Sequence, residues 1–247
     1  MTTLPGGVSV SRLRVYDWAA PDGVGLAGSG TPHMHLASAE AYVVLSGTGA
    51  VHTLGPDGFA VHPLAPGVIV QMRPGVIHRA VNDGDLEVLV VMSNAGLPEA
   101  GDAVMTFPPQ VLADGASYRA AATLPTGGTR GVVSDADVAA AARARRDLAL
   151  EGYAALIAAA ERQGPRAALL PFFEAAVRLV RPQVPRWQDL WGRTAFADTD
   201  GTARVLEGLM RGAAPHLQLA RAERVEARPA PRRYGMCGRL QTWDLGG

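Results

Sequence analysis

The sequence predicts a mainly β fold, an antiparallel sandwich or barrel, followed by a helical extension. Three observations predict it. Up to about residue 130, short alternating or β-branched runs are separated by Gly, Pro, Asn and Asp. From Ser134 onward, apolar residues recur at helical spacing. Between the two patterns lies Leu124-Pro-Thr-Gly-Gly-Thr-Arg-Gly131, which reads as a linker or exposed loop.

The expected strands are Val8–Trp18, Glu40–Leu45, Ala50–Leu54, Phe59–Leu64, Val68–Met72, His78–Val81 and Leu86–Met92. Gly55-Pro56-Asp57-Gly58 has the chemistry to close one hairpin, and Asn82-Asp83-Gly84-Asp85 to close another. Many short strands at close spacing favour a sandwich or barrel over alternating β and α units.

In the helical part, Ser134 and Asp137 have capping-box spacing and open an Ala-rich helix that runs to about Gln163. Arg143 and Asp147 sit four apart on it, as a solvent-facing pair would. A second helix starts at Pro165; Leu169, Phe172, Phe173, Ala176, Val177 and Val180 form its apolar stripe, and Pro182 and Pro185 stop it. A third is expected near Thr202–Arg211, with two final strands at His216–Val225 and Tyr234–Trp243.

Composition excludes several classes of function. Hydrophobic residues make up 48% and charged residues 19%, the profile of a globular chain. Basic and acidic residues balance at 23 each, so neither nucleic acid nor an anionic membrane is expected as a partner. All the basic residues are arginine, which rules out a lysine Schiff base and a Walker phosphate loop. Cys237 is the lone cysteine; it excludes an intrachain disulfide and reads as a structural residue. The start of the chain has neither a charged leader nor an apolar run, and no stretch approaches membrane-span length, so a cytoplasmic location is expected.

Chemistry concentrates in two stretches, His33-Met-His35-Leu-Ala-Ser-Ala-Glu40 and Arg73-Pro-Gly-Val-Ile-His78. On an extended strand His33 and His35 point to the same side. Four residues suffice to turn the chain and bring Glu40 back to that side, and the Pro74-Gly75 turn delivers His78 at a strand start. Imidazoles with one carboxylate suit a divalent first-row metal. If Glu40 faces inward, Tyr42 and Val44 do too; past His78, Ala80 and Asn82 follow, leaving Arg79 outside. His52 and His62 read as ordinary strand residues, His216 as remote, and Trp187 and Trp191 as packing between helices.

These stretches resemble the two motifs of the cupin superfamily. The first is met by His33, His35, Glu40 and Gly47, with Gly28 one place closer than usual; the second by Gly67, Gly75, His78 and Asn82, with Arg73 where proline is usual. The resemblance covers roughly residues 8–100. It implies a jelly-roll antiparallel β-barrel over 8–125 and a mostly helical region over 132–247, packed on the barrel or on a second subunit. It also implies that His33, His35, Glu40 and His78 bind one divalent transition metal (Fe, Mn, Ni, Co or Zn), and that the protein forms a homodimer. An octahedral ion so held would keep two positions for a ligand. The expected function is a metal-dependent enzyme of dioxygenase, decarboxylase or isomerase type acting on a small oxygen-rich molecule. Tyr42 is then a candidate donor to the bound substrate, and Arg73 a candidate partner for an anionic one. A non-catalytic binding or sensing module is the alternative.

Overall fold

The structure is a computed structural model describing residues 4–126 and 133–244. Residues 127–131 of the expected linker lie outside the described residues. The strands in chain order are β1 (Ser9–Val15), β2 (Gly28–Ser29), β3 (His33–His35), β4 (Glu40–Gly55), β5 (Gly58–Leu64), β6 (Ile69–Met72), β7 (Ile77–Met92) and β8 (Ala103–Met105). Two more, β9 (Arg233–Tyr234) and β10 (Gly238–Thr242), come at the end of the chain.

All pairings are antiparallel, and β4 and β7 each serve two faces of the barrel. The first half of β4 lies between β6 and the second half of β7, whereas its second half lies between β5 and the first half of β7. On one side the sheet continues from β7 through β1 and β10 to β9; on the other, β2 and β3 pair with the start of β7, and β8 with β3. The interior is filled by Leu13, Tyr42, Val44, Val51, Ala80 and Val88, all buried.

The shared corners correct one expectation. Asn82–Asp85 does not close a hairpin; His78–Val81 and Leu86–Met92 are two halves of the single strand β7, as Glu40–Leu45 and Ala50–Leu54 are of β4. The pairing register slips between Val44 and Gly49, where Gly47 has φ 76°. A Cβ there would lie 2.2 Å from the Asp85 carbonyl oxygen, so only glycine lets the strands touch. Opposite it, the Asn82 side-chain oxygen accepts from the N–H groups of Gly84 (3.0 Å) and Leu86 (3.1 Å), replacing ladder bonds lost at the bend. Turn-forming residues thus bend a strand instead of reversing it. Gly55 and Gly58 do close the β4–β5 hairpin.

The helices are α1 (Pro109–Leu112), α2 (Gly115–Ala122), α3 (Asp135–Gln163), α4 (Pro165–Val180), α5 (Val184–Arg193) and α6 (Ala195–Met210). The Ser134–Asp137 capping box is present, and Gly164 at φ 85° ends α3 before α4 begins at Pro165. The α4 stripe buries Leu169, Phe172, Ala176 and Val180, while Val177 is exposed. Together with Phe107 and Tyr153, this stripe covers the outer face of the barrel at Met34, Leu54, Ile77 and Val104. Close approach depends on Gly152, whose Cβ would fall 2.0 Å from the Thr106 carbonyl oxygen. Arg146 of α3 is buried and donates to the carbonyls of Trp18, Ala19 and Ser29.

Three helices escape the sequence reading. Helices α1 and α2 are short, and α5 is hidden because Pro185, which reads as a stop, occupies its first turn, where proline is tolerated. The expected Thr202–Arg211 helix starts earlier, at Ala195, and buries none of its residues. His216–Val225 is not a strand: Pro215–Leu219 forms a 3-10 turn, and the rest is exposed irregular chain with its charges paired locally, as in Arg221–Glu223. Tyr234–Trp243, expected as one strand, is instead a hairpin: β9 and β10 pair antiparallel across a turn at residues 235–237. No helix among the described residues is long and apolar enough to cross a membrane.

Arg79 does face away from the barrel interior, but it is buried there. Its guanidinium meets Asp22 in two bonds (2.5 and 3.0 Å) and donates to Ser29 Oγ at 2.6 Å. Burial pushes the Asp22 carboxyl up, yet the hydrogen bonds and charge of Arg79 outweigh it and hold its pKa below the usual value. Asp22→Asn leaves Arg79 buried without a counter-charge. We expect a loss of about 2 kcal/mol at neutral pH, reduced from a fully buried pair because Asp22 is half-exposed. A carboxylate with a depressed folded pKa stabilises above its unfolded value and loses this as pH falls through the folded one, so the gap between wild type and variant closes below about pH 4; urea unfolding at neutral and acid pH measures it. At the corner, Gly47→Ala combines left-handed strain with a backbone clash and lowers stability by about 3 kcal/mol or more, read in the same assay.

Candidate metal centre

Strand β3 places its two histidines through period-two geometry, with His33 directly opposite His78 on β7. After Leu36–Ala39 the chain re-enters the barrel wall at Glu40, the first residue of β4. That crossing is held by the N–H of Ser38, which donates to Asp102 (2.9 Å), and by the N–H of Ala39, which donates to Ser93 Oγ (2.8 Å). His33, His35, Glu40 and His78 are all buried, and one ligand atom from each lies within 4.8 Å of the others. Glu40 Oε2 is 2.8 Å from His78 Nε2 and 3.3 Å from His35 Nε2.

The outer nitrogens fix the inner ones. Nδ1 of His33 lies 2.9 Å from the Thr31 carbonyl, that of His78 3.2 Å from the Val76 carbonyl, and that of His35 2.6 Å from the Asp102 carboxylate. Each partner only accepts, so Nδ1 carries the hydrogen and leaves the Nε2 lone pair to the interior. Burial pulls His33 down, with His78 and His35 adding to it, well below the usual imidazole pKa. Burial pulls His35 down as well, but the Asp102 hydrogen bond and the adjacent Glu40 carboxylate prevail and hold it up to about 10. Burial pushes Glu40 up, yet His78 and His35 outweigh it and keep its pKa well below the carboxylate range. The two carboxylates that favour a proton on His35 equally favour a metal cation beside it.

A direct test of fit is whether these polar atoms satisfy one another, and they do not. Glu40 Oε2 and His78 Nε2 are fully buried and, despite their approach, neither makes a hydrogen bond of acceptable geometry. A cation held between them would satisfy both. Three imidazoles and a carboxylate are suitable donors for a divalent transition metal.

Tyr42 is fully buried in the barrel next to this group, its ring 6.3 Å from that of His78, and its hydroxyl donates to Cys237 Sγ at 3.6 Å. Burial, with the neighbouring Cys237 and Glu40, pushes the phenol well above its usual pKa, so it stays protonated. Arg73 is exposed on the turn before β7 and does not line the cavity beside the cluster. His52 packs on Phe59, His62 meets Thr53, and His216 lies in the 3-10 turn. Trp187 is buried and donates to the Ala100 carbonyl, while Trp191 is partly exposed against Phe196.

Two contributions escape sequence reading. Asp102 is fully buried behind His35, yet it stands 67 residues away with no motif around it; only the pairing of β3 with β8 brings it there. Cys237 and Met236, just before β10, reach the site because β10 pairs with β1. Burial pushes the Cys237 thiol up to about 12, which keeps it neutral. A cavity of about 210 Å³ opens onto His33, His35 and Glu40, walled by β1, β7 and the β10 segment.

An antiparallel barrel with a buried imidazole and carboxylate cluster on its inner wall defines the class: a β-barrel protein with a candidate metal site. Residues 25–93 match the cupin domain family, and the N-terminal part of this chain is a cupin domain with its His, His, Glu and His positions intact. No curated protein matches the sequence. Among solved structures, the chain is similar to the capsular polysaccharide assembling protein CapF from Staphylococcus aureus: 20% identity over 37% of this chain and 24% of that one, TM-score 0.27. It is also similar to a predicted oxalate decarboxylase from Thermotoga maritima: 24% identity, 35% of this chain and 64% of that one, TM-score 0.26. Hazelnut (Corylus avellana) vicilin is a third: 20% identity, 27% and 21% of the two chains, TM-score 0.26. The chain spans about a quarter of the length of the CapF chains it matches.

His35→Ala and His78→Ala are each expected to abolish stoichiometric metal in the purified protein, measured by elemental analysis. Asp102→Asn keeps the four ligands but weakens the orientation of His35, and is expected to reduce metal affinity about 10- to 100-fold in a competition titration with a chelator.

Proposed function

We propose that this protein is a metal-dependent enzyme acting on a small oxygen-rich molecule, of dioxygenase, decarboxylase or isomerase type. The observation that carries the reading is the cavity beside the cluster: three of the four candidate ligands, His33, His35 and Glu40, form part of its wall. A purely structural metal needs no such access. When bound, the ion would supply a Lewis acid able to polarise an oxygen ligand.

The chain's own residues account for the rest. His33, His35, His78 and Glu40 hold the cation, and Asp102, Thr31 and Val76 hold the rings in one tautomer. Met92, Val90 and Leu13 give the cavity an apolar wall beside the cluster. Tyr42 keeps its proton and donates a hydrogen bond to Cys237 Sγ behind the cavity wall, so Tyr42 positions the Cys237 side of that wall.

Protein reconstituted in turn with iron, manganese, nickel or cobalt is expected to turn over at least one member of a panel of small hydroxy- and oxo-compounds, followed by oxygen uptake or product chromatography. Water-proton relaxation of the manganese form is expected to report exchangeable water at the ion. A manganese form without such water, together with no turnover, would favour a closed structural site and overturn the reading.

A further inference from the structure

The charges around the cavity limit what it can hold. Along β1, Ser9, Ser11 and Leu13 face the cavity, while Arg12 and Arg14 face outward to Glu87 and Asp85. Arg239 of β10 likewise turns away, toward Asp17, and packs on Trp18 and Tyr234. Arg145 donates to the carbonyls of Ala122 and Gly235, and Arg232 pairs with Glu87. Among the described residues, no arginine or histidine lines the cavity beyond His33 and His35 of the cluster. Its charged groups besides these are acidic: Glu40 at the inner end and Glu99 at the mouth. The remaining wall is mainly apolar (Leu13, Val90, Met92, Met236, Leu240), with Ser11 and Thr242 opposite each other in register across β1 and β10.

We propose that the site selects a small ligand that offers two oxygen donors, carries at most one negative charge and has an apolar body, such as the enolate of a β-dicarbonyl compound, and that it discriminates against dianions. This rests on the metal reading above. A divalent ion with Glu40 leaves one net positive charge, which a monoanion neutralises. A second negative charge would be desolvated in an apolar pocket with no cation to meet it and with Glu99 opposing its entry. The apolar wall, by contrast, stabilises the ligand's hydrocarbon part. Leu240 and Met236 make the C-terminal segment part of the selection, although the metal motifs end some 150 residues before it.

The test uses the full chain loaded with cobalt, whose visible spectrum reports ligand exchange at the ion, and two probes that both bind through two oxygens. Acetylacetone supplies one charge and two methyl groups; oxalate supplies two charges. The affinity ratio on the protein is compared with the ratio for aquated cobalt in the same buffer, which removes each probe's intrinsic strength. We expect the protein to shift the ratio toward acetylacetone by at least tenfold. Thr242→Arg, at the half-exposed mouth, and independently Ser11→Arg, place a guanidinium beside the cavity and are expected to return most of that shift. A wild-type ratio equal to that of aquated cobalt, or displaced toward oxalate, overturns the inference, as does a ratio unmoved in both arginine variants. A chain that binds no cobalt overturns the metal reading itself, and this inference with it; a chain that binds cobalt and prefers oxalate overturns only the inference.

Discussion

A carboxylate buried against three imidazoles is the interaction around which the structure is organised. Glu40 sits inside the barrel with a charge that only its neighbours can compensate. Placed there alone, such a group would destabilise the fold by several kcal/mol. The barrel answers by directing the three rings at it, and each ring is held from behind by an acceptor on its other nitrogen. Positioning therefore extends outward from the cluster: Asp102 braces His35 and also ties down the crossing from β3 to β4 through the Ser38 N–H.

That geometry needs β4 and β7 to pass through both faces of the barrel, because Glu40 lies at one end of β4 while His78 faces Thr53 near the other. A strand that serves two faces must bend sharply, and the bend concentrates the backbone requirements in a few residues. Gly47 supplies a left-handed conformation without a side chain, and Asn82 supplies hydrogen bonds in place of those lost. The glycine and asparagine of the two motifs thus act at a distance from the cluster, by shaping the corners that let its four side chains meet.

The helical segment contributes cover and closure. Helices α3 and α4 seal the outer face of the sheet that carries β3 and the first half of β7. Beyond them the chain returns as β10 to extend the sheet at β1, and this return completes the wall of the cavity. The pocket is accordingly a joint product of the cupin domain and the far end of the chain.

The ligands were legible in sequence because their placement follows from local rules: period two for His33 and His35, a short connection for Glu40, a Pro-Gly turn for His78. The helix starts at Ser134 and Pro165 were legible for the same reason, as capping and proline act within one turn. Asp102, Met236 and Cys237 were not, since each reaches the site through strand pairing between residues far apart, and such pairing leaves no periodic trace. The bend at Asn82–Asp85 was misread because the same residues favour a reversal and a bulge; neighbouring strands decide between them. The sequence alone determined the kind of atoms that gather and the strands that carry them. Which carboxylate supports them, which walls enclose them and the absence, among the described residues, of an arginine from the cavity were decided by tertiary structure, because long-range register determines which side chains share an interior.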